Sequence, residues 1–500
     1  MGVVIGVDAG TTGVRAIAFD ETGMPLSMAY RALRQHLPRP GWVEHDAAEI
    51  WESVQAVLAT VAGEAAESGQ AVAAIGVTNQ RETVVAWDRR TGSPLCPAIV
   101  WSDRRTAPRC AELESAGRLE LVRAVTGLVL DPYFSASKME WMLGAGGLAL
   151  GPGLALGTVD SWVVWRLTGG AACVTDASNA SRTMLFDIGK LAWSEELCSL
   201  FGIPLRCLAE VRPSCGRVGV TAAGVAGPLA GGVPVSGIAG DQAAALFGQA
   251  CFEAGMAKCT YGTGAFVLAN VGRVAPAPVE GLLTSVAWDL SGVGGVLGSE
   301  HLAYALEGSV FCAGSSIDWL RDGLGVVASA AEVGPLAASV PDSGGVVLVP
   351  AFTGLGAPWW DPYARGALVG VTAGVGRAQL ARAALEAIAF QVRDVLDAMS
   401  SAGLALSQLR VDGGISVVGL LLALQADQAG IPVARPRVTE TTALGAAQLA
   451  GLAEGVWGSL AEVAACWTAE VEVAPSMSRT GADARRAAWL AALERARGWA

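Results

Sequence analysis

The chain has 500 residues, of which 52% are hydrophobic and 16% charged, with a formal net charge of -12. Such a length exceeds one ordinary core, so two or more domains are expected, and the apolar content excludes a disordered chain. The acidic balance has no Lys/Arg run set against it, which argues against nucleic acid as a partner.

Val3 to Val7 is a short apolar run leading into Asp8-Ala-Gly-Thr-Thr-Gly-Val-Arg15, with Ala16 to Phe19 beyond it. The pattern predicts strand, tight polar turn, strand. In the turn Gly10 and Gly13 would let backbone approach a ligand, Thr11 and Thr12 supply hydroxyls and amides, and Arg15 supplies positive charge. Such a turn can cradle phosphate oxygens, and Asp8 at the strand end could hold Mg2+, which prefers carboxylate and water oxygens. An ordinary hairpin turn is the alternative for this stretch taken alone. Asp46-Ala-Ala-Glu49 has the spacing of a capping box. The helix that it opens carries Ile50, Val54, Val57, Leu58 and Val61 on one face. Val72 to Thr78 is the next strand; it runs into Asn79-Gln-Arg-Glu-Thr83, where Arg81 and Glu82 mark either a polar site or a solvated loop. Ile99-Val-Trp-Ser-Asp-Arg-Arg105 repeats the order of strand, aromatic and charge, and Tyr133 lies in a turn before a helix.

Ser236 to Ala239 reads as the end of a strand, Gly240 as a sharp turn, and Ala243 to Gln249 as a helix. Asp241 therefore stands at a helix start, as an N-cap or as a functional carboxylate. After Gln249 the organisation restarts. Ala257 to Leu268 is again strand, Gly/Thr turn, strand, which suggests a weak internal duplication with a phosphate turn in each half and a cleft between them. Val346 to Pro350 is a strand before a loop rich in Gly, Pro and Trp. Arg377 to Met399 is a long amphipathic helix. Leu409 to Asp412 is a strand followed by the pair Gly413 and Gly414, which would let a flat ring lie on bare backbone. Thr441 opens a helix of small residues, and Arg485 to Ala500 reads as a surface helix.

Mean hydropathy is +0.45, yet the longest uncharged runs, 141–159 and 218–240, are interrupted by Pro and Gly, so no membrane span is expected. No charged n-region and apolar h-region precede Asp8. The ten cysteines show no C-x-x-C pair and read as buried thiols of a reducing compartment, the cytoplasm. The three histidines, His36, His45 and His301, are too dispersed for a His-ligated metal.

The order of these motifs resembles the glycerol kinases, members of the FGGY carbohydrate kinases. The segments that carry the likeness are Asp8-Ala-Gly-Thr-Thr, Gly41-Trp-Val-Glu-His-Asp46, Thr78-Asn-Gln-Arg-Glu-Thr83, Leu130-Asp-Pro-Tyr-Phe-Ser135, Ser178-Asn-Ala-Ser-Arg-Thr183, Gly237-Ile-Ala-Gly-Asp-Gln242, Tyr261-Gly-Thr-Gly264 and Asp361-Pro-Tyr-Ala-Arg-Gly366. The resemblance implies an α/β protein of two actin-like (ribonuclease H-like) ATPase domains, 1–248 and 249–500, with a central cleft. It implies phosphoryl transfer from ATP to glycerol, with Mg2+, in a cytoplasmic homodimer or homotetramer. The matching polyol residues are Arg81, Glu82, Trp101, Tyr133, Asp241, Gln242 and Phe266, with Asp241 as general base. On the nucleotide they are Thr11, Thr12, Gly13, Arg15, Thr263, Gly314 and Gly414, and on the metal Asp8 and Asp241. Three positions depart from the pattern. Ala9 and Asp318 each replace a usual Gln, and Val418 replaces a usual Asn. These departures touch the nucleotide side and keep two other expectations in view, a related kinase of another polyol or sugar and a catalytically weak regulatory paralogue.

Overall fold

The computed structural model describes residues 2–293 and 301–499. β1 (Val3–Ala9) and β2 (Gly13–Phe19) form an antiparallel hairpin that sets Asp8 opposite Arg15. Their Val, Ile and Ala side chains are buried on both faces, as in strands covered from either side. β3 (Pro25–Ala32) extends the hairpin. α1 (Ala47–Glu67) then crosses over to β4 (Val72–Asn79), which runs parallel to β1. β5 (Cys215–Val220) and β6 (Pro234–Gly240) complete a sheet of order β5-β6-β4-β1-β2-β3, with β6 parallel to β4. The predicted face of α1 is buried, but its capping box is not formed. Asp46 accepts from the Ala48 amide at 2.8 Å, while Glu49 turns away to accept from the Arg34 amide at 3.3 Å.

The second sheet uses β7 (Ala257–Tyr261), β8 (Ala265–Gly272), β9 (Leu283–Asp289), β10 (Leu302–Val310), β11 (Leu409–Asp412), β12 (Val433–Pro436) and β13 (Ala469–Val473). Its order is β9-β10-β8-β7-β11-β12-β13. The series β10-β8-β7-β11-β12 repeats β3-β2-β1-β4-β6, with the same parallel and antiparallel pairings. The duplication hinted at by two Gly/Thr turns is thus a repeat of a whole sheet, and the two-fold actin-like architecture is present.

A helix follows the last parallel strand of each repeat: α2 (Asp241–Gly248) after β6 and, beyond the long α3 (Arg377–Ser401), α4 (Thr441–Ala453) after β12. Although α4 comes late in the chain, it packs on β1, β4 and β6 of the first sheet. Glycine makes this possible. A Cβ on Gly6 would stand 2.1 Å from the Ala443 carbonyl oxygen, on Gly76 1.9 Å from that of Ala446, and on Gly237 2.6 Å from the Ala450 nitrogen. α2 and α4 also cross at backbone contact, since a Cβ on Gly445 would lie 1.9 Å from the Ala244 oxygen. The small residues read in α4 therefore serve close approach on two sides. α5 (Arg479–Ala496) is a surface helix, as expected, with one face anchored: Trp489, Ala492, Leu493 and Ala496 are buried in the second core, and Trp489 Nε1 donates to Asp394 Oδ2 at 2.8 Å. Ala500, the end of the expected tail helix, lies outside the described residues. Among the described residues no helix is long and apolar enough to cross a membrane.

Candidate active site

β1, β4 and β6 end in register, with Ala9 beside Asn79 and Asn79 beside Gly240. The residues that come next therefore gather at the carboxyl edge of the sheet, where ligands bind in open α/β structures. A cavity of about 870 Å3 opens there, lined from both halves of the chain.

Asp241 begins α2, directly after Gly240. Gly240 has φ -62° and ψ 151°, which any residue adopts, so the bend does not demand glycine. Space demands it: a Cβ would meet Cγ and Cδ of Arg81 at 2.7 Å. Gly240 itself is the N-cap, and Asp241 is the first helical residue. The Asp241 carboxylate accepts from the Gln242 amide at 2.7 Å and pairs with Arg81 Nε at 3.0 Å, its side chain 29% exposed to the cavity. Burial raises its pKa, opposed by the charges of Arg81 and Lys258.

Behind this edge lies a buried charge cluster. Arg81 makes a bidentate pair with Glu307 at 2.7 and 2.8 Å. Arg182 donates to Glu82 at 2.6 Å and stands 3.3 Å from Glu307. Lys258, fully buried, donates to Gln242 Oε1 and, at 2.9 Å, to Thr260. Burial alone would raise Glu307, but Arg182 and Arg81 outweigh it and bring it to about 2. Glu82 carries φ 60°, a conformation a non-glycine residue holds only when its surroundings insist. Ser135 Oγ anchors it by donating to its carbonyl at 3.1 Å. The polar bracing extends outward. Gln80 donates to the Gly10 carbonyl at 3.1 Å, which ties the ends of β1 and β4, and Gly240 N donates to Ser178 Oγ at 2.9 Å while Asn79 Nδ2 donates to Asn179 Oδ1 at 3.1 Å, which ties β4 and β6 to the same short segment.

Three rings line the cavity together with Arg81, Glu82 and Asp241. Trp101 meets Tyr133 edge-on with centroids 5.5 Å apart and Phe266 at 6.5 Å. The Trp101 indole N–H donates to Thr11 Oγ1 at 2.9 Å, so the aromatic wall is fixed to the first Gly/Thr turn. Thr11 and Thr12 face the cavity from one side, and Gly262, Thr263 and Gly264 face it from the other.

All seven residues expected on the polyol thus line one cavity, as do Asp8, Thr11, Thr12 and Thr263. Gly13, Arg15, Gly314 and Gly414 do not line it. Gly13 makes room for Tyr30, whose ring a Cβ would meet at 2.4 Å. Arg15 is engaged by Glu440 and stands 3.9 Å from Asp8. The Cβ position of Gly314 is filled by the Gly262 carbonyl oxygen at 2.7 Å, whereas around that of Gly414 no atom lies within 4 Å, leaving open space beside β11. Asp318 points to Arg321 at 3.1 Å and is half-exposed. Sequence reading assigned no role to Arg182, Glu307 or Lys258. The signal for Glu307 was present, as a single acid inside the apolar strand Leu302–Val310.

The N-terminal domain model of the FGGY family of carbohydrate kinases matches residues 3–248, and the C-terminal domain model of that family matches 257–454. The chain belongs to the FGGY carbohydrate kinases. Relatives named glycerol kinase include those of Dechloromonas aromatica, 52% identical over 99% of this chain and 98% of the relative, and Trichlorobacter lovleyi, 52% identical over the full length of both. Among solved structures, the glycerol kinase of Plasmodium falciparum with ADP superposes with a TM-score of 0.89 at 32% identity, covering 99% and 98% of the two chains. A xylulose kinase from Rhodospirillum rubrum reaches 0.83 at 26%, covering 98% and 97%.

For a kinase of this family a divalent cation beside the phosphates is the natural counter-ion, and the donor set here suits it. Asp8 is desolvated by burial and sits within the field of Asp241; burial and Asp241 raise its pKa, Arg15 lowers it, and the outcome is about 7. Two neighbouring carboxylates that disfavour each other's charge are relieved by a hard cation with oxygen ligands. Among the described residues no group of three or more His, Cys, Asp or Glu side chains converges as a metal cage.

Proposed function

We propose that this FGGY kinase transfers the terminal phosphoryl group of ATP to glycerol, giving sn-glycerol 3-phosphate and ADP. The observation that carries this is one cavity lined both by the rings of Trp101, Tyr133 and Phe266 and by the polar side chains of Arg81, Asp241 and Gln242. A three-carbon polyol has an apolar edge for the rings and closely spaced hydroxyls for the polar side. Relatives named glycerol kinase at about half identity over nearly the whole chain support it.

Asp241 accepts the proton of the attacking hydroxyl. Its raised pKa makes it a stronger base than an ordinary carboxylate, and general-base help of this kind contributes about 10²–10⁴-fold. Arg81 and Glu82 orient the hydroxyls, and the rings exclude water. The amides and hydroxyls of Thr11, Thr12 and Thr263 hold the phosphates from both sides, so that positioning and charge neutralisation supply most of the catalysis. Asp8 and Asp241 would hold Mg2+, which supplies positive charge to the phosphates. The adenosine would lie toward Gly414, where the backbone is uncovered. We take residues 1–248 as the polyol and first phosphate-turn half and 249–500 as the nucleotide half of a cytoplasmic homodimer or homotetramer.

A coupled assay of ADP release, with Mg2+ and a panel of glycerol, erythritol, gluconate and xylulose, tests this. Glycerol is expected to give the highest kcat/KM. Preference for a pentulose would assign the chain to another branch of the family, and no turnover at saturating substrates would make it a weak regulatory paralogue.

A further inference from the structure

Lys258 lies on β7 with its side chain wholly buried, away from the open part of the cavity. Its ammonium nitrogen donates to Gln242 Oε1 and to Thr260 Oγ1, the latter at 2.9 Å. An ammonium has donors only, whereas a primary amide has a donor end and an acceptor end. A partner that can only donate therefore fixes which end of the amide faces it. Burial pulls the pKa of Lys258 down, opposed by the charges of Asp412 and Glu307; the ammonium form, which has no lone pair, is the one that fixes the amide.

We infer that Lys258 is a positioning residue that locks the Gln242 side chain with its NH2 group toward the substrate. This rests on the polyol-kinase reading of the cavity and deepens it. Gln242 is 7% exposed and lines the cavity directly beside Asp241. The start of α2 then presents two groups of opposite polarity side by side, a carboxylate that accepts and an amide that donates. A hydroxyl is the group that satisfies both at once, since it donates through its proton and accepts through its oxygen. Without Lys258 the amide can rotate, the donor is presented only part of the time, and selectivity for the hydroxyl falls.

The test is a double-mutant cycle of Lys258→Met and Gln242→Ala, read as glycerol KM, ATP KM and kcat. Loss of one neutral hydrogen bond corresponds to about a three- to tenfold change. Lys258→Met alone is expected to raise glycerol KM by that factor with ATP KM unchanged. In the Gln242→Ala background it is expected to add nothing, because Lys258 acts only through that amide. Losses that multiply, or an equal effect on the ATP and glycerol constants, would overturn the inference. Gln242→Glu covers the case in which Lys258→Met does not fold, since it gives Lys258 an ion-pair partner and removes the donor. It should weaken glycerol while sparing whichever of propane-1,2-diol and propane-1,3-diol lacks the contacted hydroxyl, and equal weakening of all three would overturn it. Wild-type turnover is a separate arm. If glycerol is not phosphorylated, the proposed function fails and the cycle is read on the polyol that is.

Discussion

Replacing Glu307 by Gln removes a carboxylate that pairs with two buried guanidinium groups. Glu307 is fully buried, accepts from Arg81 at 2.7 and 2.8 Å, and has Arg182 at 3.3 Å. The surrounding cluster sets Arg81, Arg182 and Lys258 among Glu82, Glu307 and Asp241, with Asp412 also in the field of Lys258. The substitution removes the negative charge between two guanidinium groups and turns an amide N–H toward an arginine that can only donate. Breaking one side of a buried pair costs about 3–5 kcal/mol. At about 1–2 °C per kcal/mol for a chain of this length, a melting temperature about 3–10 °C lower is expected at pH 7. The pH dependence has a definite sign. Against burial, which would raise it, Arg182 and Arg81 depress Glu307 from 4.5 to about 2, so its stabilisation is present above pH 4.5 and is lost as pH falls toward 2. The gap between wild type and variant should therefore be constant above about pH 5 and close below it. Calorimetry of both proteins across that range measures it. A variant melting within 1 °C of wild type, on the scale that converts stability to temperature, or a gap that does not narrow in acid, would refute the reasoning.

Asp241→Asn should fold and still bind glycerol by calorimetry, with kcat lowered at least about 100-fold; retention of more than about a tenth of the rate would remove the general-base role. Gly76→Ala should destabilise by about 3 kcal/mol or more, because the new methyl meets backbone atoms of Ala446 at 1.9 and 2.3 Å that no rotamer change can move. An unchanged denaturant midpoint would contradict that packing. Asp160 is raised to about 6 by burial, against hydrogen bonds from Thr158 and Thr175, so its contribution to stability is lost as pH rises from 3.8 through 6. Asp160→Asn should remove this loss, and chemical denaturation should show the variant gaining on wild type between about pH 4 and pH 6, with a constant difference above about pH 7.

The site was legible where its residues follow strand ends in short polar turns: Asp8, Thr11 and Thr12, Arg81 and Glu82, Thr263, and Asp241 with Gln242. A strand end and the turn after it are local, so spacing reveals them. The reasons for individual glycines were not legible, because which atom fills the missing Cβ is a tertiary fact. Gly240 serves Arg81 and Gly13 serves Tyr30, where turn geometry and ligand approach were the expectation. Glu307 stands 226 residues from Arg81, and no local pattern joins them. The Ala and Arg of α5 made its outer face legible, while Trp489 and Leu493 marked the face that packs inward.

The glycine trough that receives α4 also dictates when the protein can finish folding during synthesis. β1, β4 and β6 are complete once residue 240 has emerged, yet the helix that covers them spans residues 441 to 453. At about 5–20 residues per second, roughly 10 to 40 s pass between the two events. Throughout that interval the nascent first sheet presents an uncovered face with bare backbone at Gly6, Gly76 and Gly237. Such a face offers a surface to a chaperone or to another unfinished chain.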